Sequence, residues 1–401
     1  MKGSRGFSGL AILAAVILAV SGGIAERALG VCGPFTDVAA DAFCPFVLEL
    51  FTLAITTGTT PTTYDPGSNV SRLQMAAFLS RTVDSVLKRG SRRAALRQFW
   101  TTQTTDALPM TTLHVTFPEN VEFDGADLWV AARSGGVDRV RASDGSVVEN
   151  WTVDNAGGVA IAMGKVFIAS QGATSGMTGR LMRVDPSQPA GAATTVATSL
   201  PWQCFGVAFD GGRLWTANQD GTVSIVTPGA SLPWTVTTTA GGYQRPFGIL
   251  YDGSNIWITD AINNVPVVGT LLKLSSSGAV LQTVTVGVEP VLPVFDGSNI
   301  WVPNLASNSI SVVRASSGAV LATLTGLPEF PVGTAFDGQR VLVTSQGTPL
   351  SVSLWKAADL TPLGSFPLPS TALSLLGAAS DGASFWIPLT GLGGVGWLAR
   401  F

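Results

Sequence analysis

The stretch FDGSNIWVPN, Phe295 to Asn304, decides how this chain folds, because the chain writes it repeatedly. It returns nearly verbatim as YDGSNIWITD, Tyr251 to Asp260, and in looser form at five more places. The glycine of the element falls at Gly125, Gly164, Gly211, Gly253, Gly297, Gly338 and Gly382, at intervals of 39, 47, 42, 44, 41 and 44 residues. Six copies are true Asp-Gly pairs, and the second reads AMGKVFIA, Ala162 to Ala169. A period of this size marks supersecondary units that bury their faces only against one another.

One unit, read from Pro290, divides into PVLPVFDG, SNIWVPN, SNSISVVRA and SSGAVLATLTG, four short apolar runs separated by turn residues. That is the pattern of a four-stranded antiparallel meander. Asp-Gly ends the first strand because glycine tolerates positive φ and the carboxylate can hold a nearby backbone N–H. The second strand, NIWV, is apolar on consecutive residues, so both of its faces are covered. Its bulky member is Trp129, Trp215, Trp257, Trp301 or Trp386 in five copies, and Phe167 and Leu342 in the others. Such residues fill the wedge between radially stacked sheets. The reading is a mainly β protein with a seven-bladed β-propeller of four-stranded antiparallel blades over residues 112–401. A β-helix is the competing repeat, with rungs nearer about 20 residues. After Gly382 only three strands remain, whereas TTLHVTF, Thr111 to Phe117, is surplus ahead of the first copy. This run is expected to be the outermost strand of the last blade.

Charged residues make up 12% of the 401, against about a quarter in ordinary globular proteins, and 46 glycines serve the turns. A formal net charge of −3 gives no footing for a nucleic-acid partner. Residues 1–30 read as a signal peptide: Lys2 and Arg5 precede an apolar run from Leu10 to Val20, too short to span a bilayer, with cleavage after Ala25 or Gly30. No other stretch reads as transmembrane, so a secreted, cell-surface protein is expected. Cys32 and Cys44 lie 12 residues apart, a spacing that permits a disulfide as well as two free thiols. Cys204 reads as a buried apolar filler.

Residues 31–90 have a different texture, with a helix expected over Phe46–Ala54, then a Gly/Pro loop. Ser71 is placed as an N-cap with Gln74 three residues on, a capping box opening the helix Arg72–Lys88. Residues 91–111 form a basic helix or linker, in which Arg92, Arg93 and Arg97 read either as a patch for anionic polymers or as a solvated tether.

The single histidine, His114, falls on that outermost strand, so neither a Ser–His–Asp constellation nor a histidine metal cage can be assembled. No phosphate loop, Cys-x-x-Cys pair or EF-hand loop occurs, no cofactor is implied, and no catalytic residue is assigned. Asn218, Asp260 and Asn304, each three residues after a blade tryptophan, are candidate metal ligands or turn caps. Glu119, Gln203, Arg245, Glu289 and Glu329 stand where the chain enters the innermost strands, a position that rings one end of a propeller's channel, and are the candidate ligand contacts. Trp151, Trp202 and Trp234 lie outside the blade-tryptophan positions and serve either packing or sugar stacking.

Two resemblances add to this. The elements FDG-x-x-[IL]-W-[VI] and S-x-G-A-V-L, as in Phe295–Val302 and Ser316–Leu321, resemble the secreted propellers of the YVTN and virginiamycin B lyase-like group. That resemblance implies the fold; the lyase site it implies needs a histidine on a central strand, which this chain lacks. Phe35–Val38, Ile55–Gly58, Tyr64–Pro66 and Val70–Ala76 resemble an S-layer homology module. In that family the modules attach proteins to cell-wall polysaccharide, which implies a polymer contact at Arg72. Here Ser71, Leu73 and Gln74 replace the family's Thr, Ala and Glu. Its grooves are built from three copies, so one copy implies a homotrimer. The expectation is an exported envelope protein that holds to wall polysaccharide through the small module and engages a glycan or protein through the propeller. The alternatives are a lyase or lactonase with its site at the channel mouth, and a structural surface-layer component.

Overall fold

The computed structural model describes residues 35–38, 44, 47, 50–51, 55–72, 74–79, 82 and 108–401, except 173–177, 240–241 and 262–266. The expected signal peptide, Cys32 with its pairing to Cys44, most of the Phe46–Ala54 helix, and the basic linker up to residue 107 lie outside the described residues. The chain divides into two compact units, 1–101 and 102–401.

In the first unit Phe35, Val38 and Val47 are buried together, and the Phe35 ring meets Phe51 edge-on at 5.3 Å. Gly58 has φ +78°, and a side chain there would collide with Phe35, so the Ile55–Gly58 corner requires glycine. Asp37 accepts N–H bonds from Tyr64 at 2.9 Å and Asp65 at 2.7 Å, which hold its carboxyl below the usual carboxylate range. The capping box is complete: Gln74 N–H donates to Ser71 Oγ at 3.2 Å, and Ser71 N–H donates to Gln74 Oε1 at 2.8 Å.

The second unit is the propeller. Blade 4 shows the plan, with antiparallel strands Pro246–Tyr251, Ile256–Asp260, Thr270–Leu274 and Val280–Thr285 in consecutive order. Four further sheets repeat it, over 156–200 (blade 2), 204–239 (blade 3), 294–324 (blade 5) and 331–367 (blade 6). The eight-stranded sheet is two blades joined by one long strand, Met110–Phe123. Its first half pairs with Val395–Arg400 of blade 7 (Met110 opposite Ala399, Thr112 opposite Trp397), and its second half pairs with Asp127–Ser134 of blade 1 (Val121 opposite Val130). The surplus run therefore closes the ring as expected, and His114 sits on that outer strand with its side chain 65% exposed.

The core lies between blades rather than within them. Seven apolar clusters each join one blade to the next, and in every one the second-strand residue of a blade packs on its successor. Trp129 meets Val159 and Ile168 of blade 2, Trp257 meets Ile300 and Val302 of blade 5, and Trp386 of blade 7 meets Leu128 and Val130 of blade 1. Consecutive innermost strands also touch all the way round. These two observations make a closed ring of seven blades among the described residues.

Each Asp-Gly corner does more than turn the chain. Asp252 Oδ1 accepts the N–H groups of Ser254 and Asn255 at 2.8 and 2.6 Å, while Oδ2 accepts the indole N–H of Trp257 at 2.7 Å. Asp124–Trp129, Asp210–Trp215, Asp296–Trp301 and Asp381–Trp386 repeat the latch at 2.7, 2.7, 2.8 and 2.9 Å. A tryptophan can be buried here only because its one donor finds an acceptor. Where the tryptophan is absent the partner changes. In blade 6, with Leu342, Asp337 Oδ2 takes Arg340 Nε at 2.7 Å; in blade 2, with Phe167, the position five residues earlier, which pairs with Lys165, is Ala162.

Candidate binding site

In a four-stranded meander the start of the first strand and the end of the second lie at one end of the blade. Around the ring these ends make one face, where a propeller's channel opens. In blades 2 to 6 the residue leading into the first strand is fixed there by a bond from just beyond the second strand. Gln171 N–H donates to Asn155 O, Gln219 to Gln203 O, Ala261 to Arg245 O, Leu305 to Glu289 O and Gln346 to Phe330 O, at 2.9–3.2 Å. Asn155, Gln203, Glu289, Phe330 and, in blade 1, Phe117 all take positive φ, between 48° and 61°. Of the five rim candidates, Gln203, Arg245 and Glu289 thus occupy the equivalent position. Glu119 stands two residues deeper in its blade than Phe117, and Glu329 stands one residue short of Phe330.

The structure brings some of these together. Arg245 reaches Glu289 of the next blade at 3.4 Å and Gln219 of the preceding blade at 3.5 Å, a polar bridge over blades 3 to 5. Glu329 is exposed, with its carbonyl accepting Gly347 N–H at 3.0 Å. The metal candidates each hold hydrogen bonds at the end of their own second strand. Asn218 donates to Thr222 and Ser224 Oγ at 3.0 and 2.9 Å, and Asn304 donates to Ser309 and Ser311 while accepting Gly287 N–H at 3.0 Å. Asp260 accepts Gln244 and Arg245 N–H at 3.0 and 2.6 Å, and burial pushes its pKa up. Among the described residues no group of three His, Cys, Asp or Glu side chains gathers as a metal cluster. Trp151 and Trp234 are buried, and Trp202 donates its indole N–H to Gly172 O at 3.0 Å.

Glu119 is different. The first strand carries an extra residue near its start in six blades, a bulge that in blade 1 falls on Glu119 itself, since Pro118 faces Ala132 and Asn120 faces Ala131. Bulges re-aim side chains. At the same step the other blades place Gly157, Phe205, Phe247, Val291, Val332 and Leu373. One carboxyl therefore stands among glycine and apolar side chains. It is only 4% exposed; Oε1 pairs with Arg133 Nε, and Oε2 is buried with no donor. Burial raises its pKa against the lowering effect of Arg133. Glu119 lines a cavity of about 630 Å³ at the seam of blades 6, 7 and 1, together with Phe117, Arg133, Gln346, Leu373 and Thr390. Phe117 and Leu373 are exposed there by 47% and 59%. A smaller cavity of about 380 Å³, lined by Asp210, Arg213, Tyr251 and Asn255, opens at the Asp-Gly corners of blades 3 and 4. Its charges are matched: Arg213 holds Asp210 at 2.9 Å and Ser276 O at 2.7 Å.

Comparison with known proteins bears on both units. Residues 34–76 match the S-layer homology domain. Among solved structures the chain is similar to the WD40 β-propeller domain of Doa1, with 14% identity and a TM-score of 0.57, over 75% of this chain and 97% of that one. At that identity the likeness shows the fold alone. Comparison with curated proteins finds no match.

Proposed function

We propose that this chain is a cell-surface protein of a bacterial envelope, attached to wall polysaccharide by its first unit, whose propeller is a binding platform for an envelope glycan or protein. The observation that carries the reading is the S-layer homology match over residues 34–76 in one chain with a ring that opens a lined cavity on its channel face. Arg72 supports the polymer contact on physical grounds. It is exposed in the first turn of its helix, where the dipole disfavours a cation, so its placement serves something other than helix stability. Met75 and Leu79, one helical turn apart, are 48% and 61% exposed, an apolar stripe of the kind that association into a trimer would cover. Export by a cleaved leader completes the reading.

The test is pelleting of the full chain with purified cell walls, with Arg72→Ala as the comparison. Retention that falls several-fold in the variant supports the reading. A chain that stays in the supernatant with walls of every envelope type overturns the anchoring half of it.

A further inference from the structure

We propose that the cavity at the seam of blades 6, 7 and 1 is a carbohydrate site, in which a sugar ring lies against Phe117 and Leu373 and the Glu119 carboxyl turns its covered Oε2 toward the cavity to accept a hydroxyl hydrogen bond. The inference rests on the reading of the propeller as a binding platform and names the ligand class of that same cavity.

The argument starts from the orphaned oxygen. A buried carboxylate oxygen without a donor loses its hydration with nothing in return, so a residue held in that state is explained best by a ligand that completes it. Arg133 already balances the charge, which removes any demand for a cationic ligand; an ammonium group would also face that guanidinium. A purely apolar ligand would leave Oε2 as it is. The ligand must therefore carry neutral donors on a body with an apolar face.

The remaining walls fit hydroxyl groups, which both donate and accept. Thr390 and Ser374 offer hydroxyls, and Gly393 offers a peptide group with no side chain over it. Gln346, which also lines the cavity, commits its amide nitrogen to Leu375 O at 2.6 Å, so what its side chain has left to offer is an acceptor. Arg133 uses only Nε toward Glu119 and is 66% exposed, leaving its terminal nitrogens for a ring oxygen or an acidic substituent. The exposed faces of Phe117 and Leu373 suit the C–H face of a pyranose, and the volume lies in the ordinary range of about 300–1,000 Å³ for small-ligand sites.

The experiment is titration of the full chain with mono- and disaccharides of glucose, galactose, mannose and N-acetylglucosamine, read by saturation-transfer NMR and calorimetry, with a Leu/Phe-rich peptide as the competing probe. Glu119→Gln keeps the shape but turns a donor toward the orphan position; it is expected to weaken sugar binding about tenfold, or about 1.4 kcal/mol. Phe117→Ala, at an exposed position, is expected to weaken it several-fold and carries the test if the first variant misfolds. No binding by any sugar of the panel, binding untouched by both substitutions, or binding of the peptide in place of sugar each overturns the proposal. Wall pelleting is scored in parallel, so loss of the sugar site leaves the anchoring result standing on its own.

Discussion

Two stretches of the same propeller face differ in a way that charge counting misses. Over blades 3 to 5, Gln219, Arg245 and Glu289 form a bridge in which each side chain has a partner, and the neighbouring Asp260 is filled by backbone N–H groups. At the seam of blades 7 and 1 there is one carboxylate and one arginine amid apolar side chains, and one oxygen is left without a donor. The first arrangement is finished by the chain itself and holds loops in place. The second is unfinished, and an unfinished polar group in an apolar wall is the better mark of a site.

The largest expected effect tests whether the seam is as sound a joint as the others. Trp386→Ala, between blades 7 and 1, and Trp257→Ala, between blades 4 and 5, should each destabilise by about 3–5 kcal/mol in denaturant unfolding. A much smaller cost at Trp386 would show that the ring opens at its closure. Next comes the latch. Phe167→Trp in blade 2 would bury an indole N–H opposite Ala162, whose side chain has no oxygen for it, and should cost about 1–3 kcal/mol, whereas the double change with Ala162→Asp should recover most of that in a thermal melt. On the polar side of the face, Glu289→Gln should shift sugar affinity by less than about twofold, against about tenfold for Glu119→Gln, in the same calorimetric titration.

The smallest effect concerns Glu122. Opposite each blade's wedge residue, the first strands place Glu122, Ala160, Ala208, Leu250, Val294, Ala335 and Ala379. Glu122 keeps contact with solvent, and the protein packed around it disfavours its charged form and pushes its pKa up to about 7 from 4.5. At Glu122 the folded chain then keeps a proton that the unfolded chain has released, so this group's contribution to stability is greatest below about pH 4.5 and declines as pH rises toward 7. Glu122→Gln should flatten that decline in melting temperature across the same window; an unchanged slope would assign it to other groups.

The fold was legible because its signals are local. Asp-Gly, the continuous apolar second strand and the surplus Thr111–Phe117 run each depend on a few adjacent residues, and so does the Ser71–Gln74 capping box. The latch was half legible. The aspartate read as a turn cap, while its bond to tryptophan was marked only by the constant five-residue step from Asp124 to Trp129 through Asp381 to Trp386. The site was the least legible part. Glu119 stands two residues past the position that Gln203, Arg245 and Glu289 share, and the cavity joins residues near 118 to residues near 375 and 392, a juxtaposition that only ring closure makes. Phe117 and Leu373 carry no motif; repeat-by-repeat alignment of the residues leading into each first strand is the signal that would have found them.

The most direct measurement is a crystal structure of the full chain grown with the tightest sugar of the titration panel. The account predicts density for a sugar ring against Phe117, with a hydroxyl within hydrogen-bonding distance of Glu119 Oε2. Sugar seated over Arg245 and Glu289, or in the cavity beside Asp210 and Asn255, with nothing at the seam, would contradict it.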